Sequence, residues 1–220
     1  MEGKYAVIFT GGSYDTHEKS EEYYVNLVKN SSYFICADSG ANFAYKFHVK
    51  PKYILGDMDS ISQSVLDYFS DIEKITYQPE KAFTDTEIAI EKCKEEGFTN
   101  IILCGGIGSR MDHSINNVLS MIRYRNEGVN LHIYNHRQLL FFATREQFIE
   151  DKVNWTMGLV PMTPVVKKCT IEGCYYPLEK RDIYWGDSLT ISNIVTDKKA
   201  RITFEDGELL VVLNDPSHLY

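Results

Sequence analysis

The chain places two carboxylates two residues apart in the segment Leu55-Gly56-Asp57-Met58-Asp59-Ser60, directly after a short apolar run. In an extended segment, side chains two positions apart project to the same side of the backbone. The two negative charges repel each other there, so the arrangement is favourable mainly when a hard divalent cation such as Mg²⁺ lies between them. The pair predicts a metal site, and a solvated acidic turn is the alternative interpretation.

A third carboxylate, Asp85, follows Thr84 where a helical pattern begins. Thr84 and Glu87 have the spacing of a capping box, which by itself only starts a helix, and the charge of Asp85 complements the helix dipole. Asp85 is also in a position to complete a three-carboxylate metal site with the earlier pair. Just upstream, Lys81 is a point charge suited to a phosphate group.

Two glycine-containing loops follow apolar runs, namely Thr10-Gly11-Gly12-Ser13 and the longer segment from Gly105 to His113. Backbone amides in such a loop, next to the start of a helix, form an anion-binding entrance. The spacing differs from the dinucleotide fingerprint and from the Walker motif, so an ordinary P-loop ATPase is disfavoured. Arg110 is suited to clamp a phosphate. A plain turn at Gly11 and a structural role for His113 remain the alternatives.

Two further acidic residues begin helical patterns. Asp38 opens the segment Ala37-Asp38-Ser39-Gly40-Ala41-Asn42, and Asp112 follows Arg110. Either residue alone is interpreted equally well as a helix cap. The prediction of a functional site rests on five such loops together and on none of them singly.

The first ~135 residues alternate short apolar runs with amphipathic stretches. Such alternation predicts a parallel sheet covered by helices on both faces. In that fold the ligand lies beyond the carboxyl ends of the strands, where the loops described above would gather. The predicted strands are residues 5–10, 33–37, 53–55, 74–77, 101–104 and 131–134, and the predicted helical stretches include residues 21–29, 86–96 and 115–125.

From about residue 138 the pattern changes to short alternating segments separated by turns, which predicts a small antiparallel β-sandwich. The predicted strands are residues 165–170, 188–191, 201–204 and 209–213. The Asp206-Gly207 pair predicts a tight hairpin between the last two of these. We therefore expect an α/β domain at residues 1–136 and a β-sandwich domain at residues 137–220.

The bulk composition excludes several classes of protein. The chain has 220 residues with 44 % hydrophobic residues, which excludes disorder, and its net charge of −8 argues against a nucleic-acid-binding surface. The chain carries no apolar run long enough to span a membrane, and Met1-Glu2-Gly3-Lys4 does not begin a signal peptide. Five cysteines without an export signal indicate reduced thiols, so we expect a cytoplasmic protein.

Taken together, these motifs resemble the thiamine pyrophosphokinase (thiamine diphosphokinase) family. The resemblance rests on the segments beginning at Ala37, Gly56 and Gly108, on Lys81 with Thr84-Asp85, and on Ser188-Leu189-Thr190-Ile191-Ser192-Asn193. It covers nearly the whole chain. It implies an α/β catalytic domain followed by a β-sandwich, and a homodimer that binds thiamine at the subunit interface.

The resemblance also implies roles for individual residues. Metal would be held by Asp57, Asp59 and Asp85, and Asp112 would contact thiamine. Ser192 and Asn193 would reach the thiamine of the neighbouring subunit, and Trp185 is either a stacking wall or a packing residue. Family members often have an acidic residue after the motif lysine, where this chain has Ala82. The implied nucleotide contacts are Gly11, Gly12, Asp38, Lys81, Thr84, Arg110, His113 and Asn116.

The implied reaction is attack of the thiamine hydroxyl on the β-phosphorus of ATP with release of AMP, assisted by Mg²⁺. Phosphoryl-type transfer depends on positioning and charge neutralisation, which the carboxylates, Lys81 and Arg110 would supply. Two alternatives stay open: a pyrophosphokinase of the same fold acting on another heteroaromatic alcohol such as a pterin, and a non-catalytic nucleotide sensor. A metal-dependent phosphohydrolase is a third.

Overall fold

The computed structural model describes residues 4–14, 18–76, 83–134 and 137–216. The chain divides into two compact units, Met1–His136 and Arg137–Tyr220. Its five cysteines are buried and free. Within the described residues, none of the helices combines the length and the apolar composition needed to cross a lipid bilayer.

The first unit alternates strands and helices. Its strands form one parallel sheet in the order β6-β5-β1-β2-β3-β4. The elements are β1 (Ala6–Phe9), α1 (Glu18–Lys29), β2 (Tyr33–Ala37), α2 (Gly40–Lys46), β3 (Tyr53–Leu55), α3 (Gln63–Tyr68), β4 (Glu73–Ile75), α4 (Asp85–Glu95), β5 (Asn100–Cys104), α5 (Met111–Asn126) and β6 (Asn130–Tyr134). The predicted parallel α/β fold is confirmed.

The strand order reverses direction at β1. From β1 the chain proceeds outward through β2, β3 and β4, then returns to β5 on the other side of β1. At such a switch point the loops after the two central strands turn to opposite faces of the sheet, and a crevice opens between them. The loops after β1 and β5 are the two glycine-containing segments, so the topology places the predicted anion site in this crevice.

The second unit is an antiparallel sandwich, as predicted. One set of strands is bonded in the order β12-β9-β14-β7 and the other in the order β11-β10-β13-β8. Their apolar side chains meet in one buried core, with Leu159 and Val211 from the first sheet and Val166 and Ile202 from the second. The elements are β7 (Gln138–Phe142), β8 (Glu146–Glu150), β9 (Thr156–Pro161), β10 (Val165–Glu172), β11 (Leu178–Tyr184), β12 (Asn193–Ile194), β13 (Lys199–Thr203) and β14 (Leu209–Asn214).

Two local predictions in this unit are wrong. The Asp206-Gly207 turn does not close a hairpin, because β13 and β14 belong to different sheets. Instead, the Asp206 carbonyl accepts a hydrogen bond from the Lys167 N–H (2.9 Å), which holds the chain where it crosses between the sheets. Residues 188–191 form a turn and no strand, since the Ile191 N–H donates to the Ser188 carbonyl (3.1 Å).

One partly buried histidine gives the first unit a pH-dependent stability. Burial lowers the pKa of His132 in β6 to about 4, from an ordinary value of 6.5. Between these values the unfolded chain binds a proton that the folded chain does not, so stability present above pH 6.5 is lost as the pH falls towards 4. We expect this loss to be roughly 2–3 kcal/mol.

Replacing this side chain tests the expectation. His132→Gln should remove that part of the acid sensitivity, because glutamine does not titrate. The measurement is urea unfolding at pH 7.5 and pH 5, followed by far-UV circular dichroism. Replacement of the exposed His48 by Gln is the matched control. An equal drop between the two pH values in wild type and His132→Gln would contradict the assignment.

Candidate active site

A cleft of about 380 Å³ opens at the carboxyl edge of the parallel sheet, at the switch point between β1 and β5. Residues that the sequence separates by more than one hundred positions meet here, because the loops after β1, β2, β3 and β5 and the starts of α4 and α5 share this edge. The lining includes Thr10, Gly11, Gly12, Ser13, Asp38, Ser39, Ser60, Thr84, Asp85, Gly105, Gly106, Gly108, Arg110, His113, Ser114 and Asn117.

The floor of the cleft is formed by direct contact between the loops after β1 and β5. A Cβ atom added to Gly12 would lie 1.8 Å from the Gly105 carbonyl oxygen, so only glycine fits. The Ser13 N–H donates to the Ile107 carbonyl (3.0 Å). This close approach brings backbone amides of both loops to one crevice, which suits a phosphate chain.

Tyr14 supports this floor, although no sequence motif indicated a role for it. Its buried hydroxyl donates to the Cys104 carbonyl (2.9 Å) and accepts from the Thr10 N–H (3.1 Å). Its ring stacks on Phe43 of α2 with a centroid distance of 3.9 Å. Burial raises the pKa of Tyr14 well above its ordinary value, so the hydroxyl stays protonated and acts as a structural strut.

Three carboxylates meet at the ends of β2 and β3. Asp38, Asp57 and Asp59 each offer an oxygen, and these oxygens lie within 4.8 Å of one another. The Asp38 N–H donates to the Leu55 carbonyl (2.7 Å), which ties the loop after β2 to the end of β3. Asp38 and Met58 adopt positive φ angles of 47° and 67°, a strained conformation of the kind that functional sites retain.

The electrostatics of this group fit a divalent cation. Repulsion from Asp57 raises the pKa of Asp59, with a smaller contribution from Asp38. Among the described residues, the buried Oδ1 of Asp38 has no hydrogen-bond partner, whereas its Oδ2 accepts from the Ser60 hydroxyl. Mutually repelling carboxylates and an orphaned buried oxygen are what a bound hard cation would stabilise. Asp38 is not the N-cap residue of α2, because Ser39 occupies that position.

Asp85 lines the same cleft from the first turn of α4, but it is outside the 4.8 Å group. Its position is set by the predicted capping box, which is present. The Thr84 hydroxyl accepts from the Glu87 N–H (3.2 Å), and the Glu87 carboxylate accepts from the Thr84 N–H (3.0 Å). The predicted contact Lys81 lies outside the described residues.

The start of α5 closes the cleft on the other side. Arg110 and His113 line it, as do Ser114 and Asn117, whereas the predicted Asn116 is exposed and is not part of the lining. Ser114 accepts from the Gly108 N–H (3.0 Å), and the Asn117 amide donates to the Gly106 carbonyl (2.8 Å). The spacing of positions 110, 113, 114 and 117 would have identified this helix face.

Asp112 forms an exposed ion pair with Arg110, with 2.7 Å between Oδ2 and Nη2. The hydrogen bond from Arg110 lowers the pKa of Asp112 below its ordinary range. Asp112 is therefore held as an anion beside the cleft. It lies within the first turn of α5, for which Arg110 is the N-cap residue.

The remaining predicted residues belong to the second unit. Asn193 is buried, and its amide is used by Tyr176: Oδ1 accepts from the Tyr176 N–H (3.0 Å) and Nδ2 donates to the Tyr176 carbonyl (2.8 Å). Ser192 has a positive φ of 61°. Trp185, Tyr175 and Tyr176 all expose more than half of their surface. The bonds of Asn193 hold the backbone of Tyr176, which with Tyr175 forms an exposed aromatic pair that no sequence motif indicated.

Comparison with known proteins gives consistent matches along the chain. Residues 24–133 match the family model described as "Thiamin pyrophosphokinase, catalytic domain", and residues 147–209 match "Thiamin pyrophosphokinase, vitamin B1 binding domain". The thiamine pyrophosphokinase of Bacillus subtilis is 28 % identical over 190 residues, covering 81 % of this chain and 86 % of that one. Thiamin pyrophosphokinase 1 of Caenorhabditis elegans is 27 % identical over 184 residues, covering 78 % and 74 %.

Solved structures show the same fold. The crystal structure of the Bacillus subtilis thiamine pyrophosphokinase superposes with a TM-score of 0.81 at 19 % identity, covering 97 % of this chain and all of that one. The Geobacillus thermodenitrificans protein gives a TM-score of 0.81 at 22 % identity, covering 98 % and 100 %.

Proposed function

This chain belongs to the thiamin pyrophosphokinase family, and we propose that it transfers a pyrophosphoryl group from ATP to thiamine, giving thiamine diphosphate and AMP. The observation that carries the proposal is the cleft itself. It combines two glycine loops in contact, an anion entrance at α5 and a group of carboxylates at its rim. Backbone amides can bind the phosphate oxygens and the carboxylates can bind the cation, so the cleft suits a metal-bound polyphosphate.

Mg²⁺ is the cofactor in this proposal, held by Asp57 and Asp59 with Asp38 beside them. Asp85, which lines the same cleft, is the further ligand that the family resemblance implies. When bound, the ion would neutralise phosphate charge and help orient the reacting oxygens. The orphaned oxygen of Asp38 supports this assignment independently of the resemblance.

The nucleotide lies in the cleft with its phosphates along the glycine loops. Amides of Gly11, Gly12 and Ser13 and the start of α5 are available for the phosphate oxygens. Thr84, Arg110 and His113 are side chains at the same edge. In this proposal Arg110 and Lys81 stabilise the charge that develops on the departing AMP.

In the reaction, the thiamine hydroxyl oxygen forms a bond to the β-phosphorus of ATP while the bond from that phosphorus to the α,β-bridging oxygen breaks. The hydroxyl proton passes to a carboxylate of the cleft, either Asp112 or one of Asp57, Asp59 and Asp85. Asp112 has a second role that its geometry supports. Asp112 is ionised at neutral pH and exposed at the start of α5, so in this proposal it attracts the positively charged thiazolium ring.

The aromatic side chains of the second unit are proposed to contact thiamine. Ser192 and Trp185 are exposed. Asn193 acts through the backbone of Tyr176, to whose carbonyl its amide donates. The ring of Tyr176 lies edge-to-face against that of Tyr175, with 4.8 Å between the ring centroids. Exposed rings of this kind suit a flat, positively charged heterocycle. We infer that the protein is a cytoplasmic homodimer, in which thiamine is bound by one subunit and its neighbour.

A direct assay tests the proposed reaction. The protein is incubated with ATP, MgCl₂ and thiamine, and the products are identified by mass spectrometry. Thiamine diphosphate and AMP in equal amounts are expected. Competition between thiamine and a pterin alcohol shows which of the two accepts the pyrophosphoryl group, and so distinguishes this function from that of a pterin pyrophosphokinase. ATP binding without AMP formation would favour a nucleotide sensor. Phosphate release without any acceptor would indicate a hydrolase.

An apolar stripe on α5 supports the homodimer. Met111, Ile115 and Leu119 lie one turn apart along the helix and are 67 %, 53 % and 50 % exposed. Large apolar side chains repeated on one helix face usually pack against a partner. We expect Ile115→Glu to convert the dimer to a monomer, because burying the glutamate carboxylate in an apolar interface without a counter-charge is costly.

Light scattering after size-exclusion chromatography measures this change in mass. Asn116→Glu adds the same charge one residue away, outside the stripe, and is the matched control. A dimer that survives Ile115→Glu at low micromolar concentration would rule out this face as the interface.

A further inference from the structure

Asn42, in the first turn of α2, makes two hydrogen bonds to the loop that carries Asp57 and Asp59. Its Nδ2 donates to the Ser60 carbonyl (3.1 Å), and its Oδ1 accepts from the Ser62 N–H (3.3 Å). The two bonds bracket Ile61, whose side chain is buried. The side chain of Asn42 is therefore hydrogen-bonded to the backbone on both sides of the buried Ile61.

The same helix start is hydrogen-bonded to the turn that carries Asp38. The Ala41 N–H donates to the Asp38 carbonyl (3.0 Å), and the Asn42 N–H donates to the Ser39 carbonyl (3.0 Å). Asn42 thus links the turn that presents Asp38 to the loop that presents the other two carboxylates. The Ser60 hydroxyl, which donates to Asp38 Oδ2, lies at the point that Asn42 holds.

The loop needs such a link because its own conformation is unfavourable. Met58 has a φ angle of 67°, which is unfavourable for a residue other than glycine, and three carboxylates lie within 4.8 Å. Without an ion, their repulsion favours moving apart. Two hydrogen bonds are internal to the loop, one from the Asp59 N–H to Asp57 Oδ1 (3.1 Å) and one from the Ile61 N–H to the Met58 carbonyl (3.3 Å). These two bonds do not hold the loop against Asp38.

We propose that Asn42 is a positioning residue that holds the Asp57/Asp59 loop against Asp38 and so preforms the divalent-cation site. This inference rests on the proposed function for the use of that site, but its geometry does not depend on thiamine. Outer partners of metal ligands typically affect metal affinity by 10–100-fold. Asn42 touches neither the ion nor the substrates in this role.

The test measures Mn²⁺ binding to the full-length protein without nucleotide, by electron paramagnetic resonance of the free ion. We expect Asn42→Ala to raise the dissociation constant about 10-fold. The Mg²⁺ concentration for half-maximal activity should rise by a similar factor, with kcat at saturating Mg²⁺ changed less than about 3-fold. Gln63→Ala is the control, because Gln63 is exposed nearby and bonds only to Asp67 among the contacts described for it.

The outcomes are distinguishable. Unchanged Mn²⁺ affinity in a folded Asn42→Ala protein overturns the inference, as does equal weakening in Gln63→Ala. Should Asn42→Ala fail to fold, Asn42→Ser is measured in the same way, since serine cannot span both backbone groups. Absence of thiamine diphosphate formation by the wild type would reject the proposed function while leaving the Mn²⁺ comparison decisive for Asn42.

Discussion

Asp57→Asn should lower kcat/KM for thiamine diphosphate formation by at least about 10³-fold, equivalent to about 4 kcal/mol of transition-state stabilisation. The reason is local: Asp57 is exposed within 4.8 Å of two further carboxylates, and asparagine removes the charge that a divalent cation requires. The thermal midpoint should stay the same or rise, because one repelling charge is lost. Steady-state kinetics and thermal denaturation measure the two effects.

The matched control is Asp67→Asn, a change of the same kind on the exposed face of α3. Asp67 accepts a hydrogen bond from Gln63 (2.8 Å) and is not part of the carboxylate group. Its activity should remain within about 2-fold of wild type. Near-normal turnover of Asp57→Asn with Mg²⁺ would reject the metal site. Asp85→Asn, tested alongside, decides whether that residue acts with the group as the family resemblance implies.

Gly12→Ala is expected to have the second largest effect. The added methyl group would lie 1.8 Å from the Gly105 carbonyl oxygen and 3.0 Å from that of Ile107, so the loops after β1 and β5 must separate. Displacement of about 1 Å at a site that positions reacting groups costs about 10²-fold in rate. Forced separation of packed backbone also destabilises the protein, by about 1–3 kcal/mol.

The measurements are kcat/KM for ATP, the thermal midpoint, and the increase in that midpoint when ATP is added. Gly158→Ala is the control: among the described residues, the atom nearest to its added methyl group would be Ile191 Cδ1 at 3.8 Å. We expect Gly12→Ala to lower the midpoint by several degrees and to lose the stabilisation by ATP. Wild-type values for all three quantities would show that this contact does not shape the nucleotide site.

Local signals predicted the elements correctly where one short segment contains the information. The capping box at Thr84 is present because its two reciprocal bonds join residues three apart. Apolar runs separated by amphipathic stretches predicted the parallel sheet, since burial on both faces requires apolar strands. The Asp206-Gly207 hairpin failed for the opposite reason. A turn signature describes the bend, and the partners of the flanking strands decide whether a hairpin forms.

In the site, too, short-range spacing predicts some features and the pairing of strands decides others. Sequence spacing identified Asp57 and Asp59 as a pair, but the third carboxylate within 4.8 Å is Asp38. Asp38 joins them because β2 and β3 are neighbours in the sheet, which no spacing along the chain reveals. On α5, Asn117 faces the cleft and the neighbouring Asn116 is exposed, a difference that the helical spacing from His113 and Ser114 already indicates.

Residue types and their order along the chain were therefore sufficient for the family, the two-part architecture and most of the loops that line the cleft. They were sufficient because helix starts, glycine turns and paired carboxylates are short-range features. The tertiary structure alone decided which loops touch, that Tyr14 supports the floor of the cleft and that Asn42 bonds to the loop of Asp57 and Asp59. Those contacts depend on strand order and close packing, which are properties of the whole fold and not of any one segment.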